Sequence, residues 1–240
     1  MSAIKSLHTP IFIVNLKSYV WGKKALKLAK IVEKVSQETS VYLCIIPQLV
    51  DINLIARETN VPVFAPHMDP LKPGRGTGRV LPEAIKEAGA VGAMFNHAEN
   101  RLPLTEIATT IKRAREIGLI SMVCCSSPEE ARAIATLGPD IIISEPPKLI
   151  GTLRSVGRDK KFVTESIRMV KSIDPKIIVV CGAGVSSGND VAELVKLGVE
   201  GTGASRAICE AKDPLRLLTE MVKALEHEWE SQKKRDKRCI

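Results

Sequence analysis

Aromatic side chains make up only 3 % of this 240-residue sequence. A core of that composition has to be filled by Val, Ile, Leu and Ala, which suits buried parallel strands flanked by helices. Long hydrophobic runs are missing as well. No stretch nears the roughly 18 apolar residues needed to cross a bilayer, and Met1–Pro10 has no secretory apolar region. A soluble, cytoplasmic protein with no membrane partner is expected. The six cysteines never form a Cys-x-x-Cys pair, so neither a metal site nor a disulfide framework is expected. Most of them end apolar, strand-like runs, as small buried hydrophobes do; Cys239, beside a charged tail, is expected to be exposed.

Acidic residues are in the minority, 27 against 35 Lys and Arg, for a formal net charge of +8. Part of the excess is local, because Lys233, Lys234, Arg235, Lys237 and Arg238 crowd the C-terminus. That run has no interleaved aromatics and no attached recognition module, so a solvated helix end is expected rather than a nucleic-acid arm. The rest of the balance would help to draw in an anionic substrate. What the chain does have is apolar aliphatic residues; hydrophobic residues reach 45 %, which excludes wholesale disorder.

Those residues fall into a regular alternation. Strand candidates are Ile11–Leu16, Val41–Ile46, Pro62–Ala65, Val91–Phe95, Leu119–Cys124, Ile141–Ser144, Ile177–Cys181 and Val199–Gly203. Each is too short for a helix and most are rich in β-branched residues. Between them lie segments with helical spacing: Lys23–Glu38, a short one near Asp51–Glu58, then Pro82–Ala88, Leu104–Ile117, Pro128–Leu137, Phe162–Ile173, Ser187–Leu197 and Pro214–Trp229. Ser127-Pro128-Glu129-Glu130 reads as a helix start, and Gly89, Gly118, Gly138 and Gly198 read as helix stops. Eight β/α repeats predict an α/β fold, a closed (β/α)8 barrel of eight parallel strands with outer helices. No linker is visible, so one domain is expected over 1–240, with a short basic tail from about 231.

Barrels of this kind carry their chemistry at the C-terminal strand ends. Strand one ends in Asn15-Leu16-Lys17, where alternation puts Asn15 and Lys17 on one face. Strand four runs into Asn96-His97-Ala98-Glu99, and strand six into Glu145 ahead of Pro146 and Pro147, which cannot extend a ladder. A carboxylate and an imidazole on two strands of one barrel can serve as base and acid. Strands seven and eight run into Gly182-Ala183-Gly184 and Gly201-Thr202-Gly203-Ala204. Paired glycine-rich turns after the last two strands are where such barrels offer backbone N–H groups to a phosphate.

In their order, Asn15-x-Lys17, Asn96-His97-x-Glu99, Glu145-Pro146-Pro147 with Gly151-Thr152, and Gly182-Ala183-Gly184 resemble triose-phosphate isomerase. His67-Met68-Asp69-Pro70, Thr77-Gly78 and Ala211-Lys212-Asp213-Pro214 are similar to its short archaeal form. The resemblance implies a TIM barrel that moves a proton between adjacent carbons of a small phosphorylated sugar, in glycolysis and gluconeogenesis. By it, Glu145 would be the base, a neutral His97 the electrophile, and Lys17 a balancing charge with Asn15 beside it. Glu99 would support that geometry. Gly151, Gly182, Ala183, Gly184, Gly203 and Ala204 would give backbone donors to the phosphate, and Pro146–Val156 would close as a lid. Thr77 would cross into a neighbouring subunit of a dimer-based assembly, a tetramer in the archaeal form. No metal and no cofactor would be needed.

Some positions depart from the family pattern: Ala98 for a usual Ser, Leu153 for the second Gly of Gly-Thr-Gly, Gly157 for a Ser, and a strand-eight turn one residue off. Arg206 in that turn reads either as an added phosphate contact or as a surface arginine. The competing readings are another phosphate-binding barrel isomerase, with different strand-end acids, and a non-catalytic phosphate-binding barrel.

Overall fold

The structure, a computed structural model, describes residues 7–236. Eight strands close into one barrel in sequence order, with β1 (Ile11–Asn15) pairing both β2 (Tyr42–Ile46) and β8 (Gly201–Ala204). Between these run β3 (Val63–Ala65), β4 (Ala90–Phe95), β5 (Ile120–Cys125), β6 (Ile141–Ser144) and β7 (Ile178–Val180). All pairings are parallel. The helices that follow are α1 (Gly22–Ser36), α2 (Ile52–Glu58), α3 (Pro82–Glu87), α4 (Leu104–Ile117), α5 (Pro128–Ala135), α6 (Lys160–Lys171) and α7 (Gly188–Lys196). The chain ends with α8 (Arg206–Cys209) and α9 (Pro214–Asp236). No described helix is long and apolar enough to cross a membrane.

Two-residue alternation divides the apolar side chains between two cores. Ile11 and Ile13 of β1, Met94 of β4, Met122 and Cys124 of β5, and Ile141 and Ile143 of β6 fill the barrel. Phe12, Val14, Val123 and Ile142 point the other way and meet the helices. The helices answer with stripes at helical spacing, such as Ala25, Leu28, Ala29, Val32 and Val35 of α1. The inward column of β1 therefore continues from Ile13 to Asn15, and that of β6 from Ile143 to Glu145. The same period that packs the barrel lifts polar side chains to its mouth.

Element ends follow local chemistry. Ser127 accepts the Glu130 N–H and caps α5, with Pro128 in the first turn. Gly118 ends α4 in the left-handed region at φ 70°, where only glycine is free of a Cβ penalty. Helix α6 starts at Lys160, ahead of the Phe162 expected from periodicity, because Asp159 caps it by accepting the Phe162 N–H. Helix α9 runs past Trp229 to Asp236, so Lys233, Lys234 and Arg235 lie in its last turn. Gln232 there bonds the Val195 carbonyl of α7. Lys237, Arg238 and Cys239 fall outside the described residues. The other cysteines are free; Cys44, Cys124, Cys125 and Cys181 are buried and Cys209 partly so.

Candidate active site

At the end of β1, Asn15 Oδ1 accepts the Lys17 N–H at 2.9 Å. That bond and a φ of 45° at Lys17 turn the chain sharply and leave the lysine side chain over the barrel. Gln48, just past β2, fixes the turn from outside by donating to the Lys17 carbonyl at 2.5 Å. The Lys17 ammonium meets Glu99 Oε1 at 2.8 Å.

Beyond β4, Asn96 is wholly buried at φ 61°. Its amide donates to the Cys124 carbonyl at 2.8 Å and its Oδ1 accepts the Leu102 N–H at 2.9 Å. This residue pins the turn that carries His97 to the top of β5. His97 Nδ1 accepts the Glu99 N–H at 3.1 Å, which places the single proton of the neutral ring on Nε2. Burial, and then the charge of Lys17, hold its pKa below the usual histidine value against an opposing pull from Glu99. For Glu99 itself burial pulls upward, but the hydrogen bond and charge of Lys17 outweigh it and hold the carboxyl below the ordinary range.

Glu145 leaves β6 with its N–H on the Cys125 carbonyl at 2.9 Å. Burial pushes its pKa up to about 7, opposed by Lys17 and a hydrogen bond from the Gly182 backbone, and assisted by Glu99. Gly182 sits close to its neighbours: a Cβ there would lie 3.1 Å from the Gly203 carbonyl and 3.2 Å from Glu145 Oε1, so either would have to give by a few tenths of an ångström. Its neighbour Gly184, at φ 73°, would bring a Cβ within 1.9 Å of the Arg154 carbonyl. The segment after Glu145 packs back onto this turn, with the Val156 N–H on the Ala183 carbonyl at 2.9 Å.

These pieces surround one cleft of about 690 Å³ including its open mouth. Asn15, Lys17, His97, Glu145, Gly151, Gly182, Ala183, Gly184, Gly203 and Ala204 all line it. Glu99 stands behind, touching Lys17 and His97. Thr77 is exposed and takes no part in the cleft wall. Sequence reasoning gave no role to the floor, Met94, Cys124, Ile143 and Val180, nor to Tyr19 and Ser205 on the rim; Ile150 and Leu153, also on the rim, belong to the segment expected to close as a lid. The inward alternation of β4, β5 and β6 could have pointed to the floor; the rim sits on irregular segments with no period. Arg206, left between two readings, is at the rim, its Nη1 3.3 Å from the Gly151 carbonyl. Among the described residues no group of three or more His, Cys, Asp or Glu could hold a metal ion.

A closed eight-stranded parallel barrel whose polar cleft sits at the C-terminal strand ends defines the class of (β/α)8-barrel enzymes. Comparison with known proteins narrows this. The family model described as triosephosphate isomerase matches residues 10–225. A triosephosphate isomerase of Methanobacterium bryantii is 43 % identical over 225 residues, covering 92 % of this chain and 99 % of the relative. One from Methanothermus fervidus is 42 % identical over 216 residues, covering 89 % of this chain and 97 % of the relative. A third, from Methanocaldococcus jannaschii, is 38 % identical over 216 residues, with 89 % and 99 % covered. The chain belongs to the triosephosphate isomerase family.

Proposed function

We propose that this protein interconverts D-glyceraldehyde 3-phosphate and dihydroxyacetone phosphate through an enediolate, in the cytoplasm, as a step of glycolysis and gluconeogenesis. In this reading the Glu145 carboxylate takes the proton from one carbon and returns it to the next. His97, neutral with its proton on Nε2, donates to the carbonyl oxygen and stabilises the charge that develops there. Lys17 balances that charge, oriented by Asn15 and restrained by Glu99. The substrate phosphate lies against the N–H groups of Gly182–Gly184, Gly203 and Ala204, with Gly151 added from the Pro146–Val156 segment as it shuts out water. No metal or cofactor enters the scheme, since side chains provide both base and electrophile.

The observation that carries the reading is the electrostatic pairing at the cleft. A carboxyl titrating near 7 faces the same space as an imidazole held neutral. A base poised near neutrality is partly ionised at working pH yet strong enough to abstract a carbon proton. One domain over 1–240 and a dimer-based assembly, a tetramer in solution, complete the proposal. The test is a coupled assay of the two triose phosphates with Glu145→Gln alongside wild type. We expect activity to fall by roughly 10²–10⁴-fold in the variant. Absent activity in well-folded wild type would overturn the reaction; equal activity in both would overturn the assignment of the base.

A further inference from the structure

One charged side chain on the cleft rim has no part in that scheme. The Gly201–Ala204 segment expected as a turn is strand β8 itself, and Arg206 begins α8 with only Ser205 between them. Its Nε donates to Glu210 Oε2 at 2.8 Å, and its Nη1 reaches the Gly151 carbonyl at 3.3 Å. An exposed arginine paired to a glutamate four residues on would be ordinary. Contact with a carbonyl 55 residues away, in the segment that covers the cleft, is not explained by that pair.

The charges around the cleft show what this guanidinium can do. Lys17 and Arg206 are the cations among the described residues lining it. Lys17 is already held by Glu99 at 2.8 Å, and the backbone of the Gly182–Gly184 turn and of the end of β8 offers only neutral donors. The Arg206–Glu210 pair is about half exposed on both sides, and pairs of that kind hold a side chain only weakly. A guanidinium has five N–H donors, and Nε and Nη1 account for the two contacts seen. A bond to a neutral carbonyl at 3.3 Å is long; a phosphate oxygen against that backbone is the stronger acceptor. Next to Arg206, Ser205 Oγ is buried with no hydrogen-bond partner among the described residues, and Ser205 also lines the cleft.

We infer that Arg206 is a positioning residue that ties the covering segment to a phosphate dianion, holding the Gly151 carbonyl with one arm of its fork and the phosphate with the other, with Ser205 Oγ as an additional donor. The inference rests on the reading above that the ligand carries a phosphate. Arginine suits the task because its planar fork serves two acceptors at once, whereas a lysine ammonium acts as a point charge.

The test uses the full chain with Arg206→Ala and Arg206→Lys, each checked for an unchanged melting temperature. Inorganic phosphate is titrated by calorimetry, and kcat and KM are measured on glyceraldehyde 3-phosphate. Arg206→Ala is expected to weaken phosphate binding by roughly 10- to 100-fold, as loss of a charged hydrogen bond would, with KM rising in step. Arg206→Lys is expected to keep phosphate binding within a few-fold and yet lower kcat, because a point charge cannot hold the Gly151 carbonyl as well. Phosphate affinity unmoved in Arg206→Ala would overturn the inference and leave a surface arginine. Wild type that binds phosphate but does not turn over the triose would sink the proposed reaction instead, and loss of that binding in Arg206→Ala would still support the role of Arg206.

Discussion

Glu145 is a carboxyl that burial keeps half-protonated near neutrality, and this has two separable consequences. Its pKa of about 7 means that log kcat/KM should climb with unit slope below pH 7 and level off above it. A rate already flat at pH 5 would count against Glu145 as the base. The second consequence is thermodynamic. The folded chain holds this proton up to about pH 7, while the ordinary value is 4.5. Ionising Glu145 therefore costs the fold nothing below pH 4.5, costs progressively more between 4.5 and 7, and reaches its full penalty above 7. That penalty is up to about 3 kcal/mol at 1.36 kcal/mol per unit. Glu145→Gln should accordingly raise the melting temperature at pH 8 and leave it nearly unchanged at pH 4. A residue's chemical type was the legible part at this scale: Lys17, His97 and Glu145 stand out as polar residues at the ends of apolar runs. Asn96 did not, because its work depends on a φ of 61° and on bonds to Cys124 and Leu102, which no spacing announces.

The elements around the cleft are two kinds of structure with different tolerances. The strands repeat a fixed period, so their existence and inward faces could be read from the sequence to within a residue or two. The turns between strand and helix have no period. Helix α8, four residues long, is too short to show one, and the 3₁₀ turns at Pro147–Leu149 and Val156–Arg158 were invisible for the same reason. Function is concentrated in these irregular segments, and their fit to one another is tight. The strand-seven turn and the segment covering the cleft meet at Gly184, where an added Cβ would fall 1.9 Å from the Arg154 carbonyl. That separation cannot be relieved by a side-chain rotation, since the obstacle is backbone. Gly184→Ala must therefore push the segment off the turn, break the bond from Val156 to Ala183, or both. Alanine at a φ of 73° adds about 1 kcal/mol of its own. We expect kcat/KM to drop by about 10²-fold, the scale of an ångström-size misplacement, with the barrel still folded by circular dichroism. Wild-type kinetics in Gly184→Ala would mean that the two segments do not need to touch for turnover.

At the scale of the whole molecule, several exposed apolar side chains and the cleft share a support. The Gly22 N–H donates to Asp51 Oδ2 at 2.9 Å, which brings the start of α1 against the turn after β2. On either side of that bond stand Trp21, 65 % exposed, and Val50, 86 % exposed, with Leu54 following on α2. Fully burying one aliphatic side chain is worth about 1.5–3 kcal/mol, so a surface with several such groups gains by being covered. The dimer-based assembly proposed above would cover it. The turn after β2 that carries Val50 also carries Gln48, whose amide fixes the Lys17 carbonyl at 2.5 Å and Ser18 Oγ at 3.0 Å. Covering these side chains would thus hold Gln48 still, and through it the turn that presents the Lys17 ammonium. Assembly and catalysis should therefore fail together. Val50→Lys puts a charge on the most exposed of these side chains, which does not line the cleft. We expect it to shift the protein to a smaller species in sedimentation velocity and to lower kcat by roughly tenfold or more through a looser Lys17. A monomeric wild type with full activity would remove the proposed assembly. A monomeric Val50→Lys with wild-type kcat would leave the assembly in place and cut its link to Lys17.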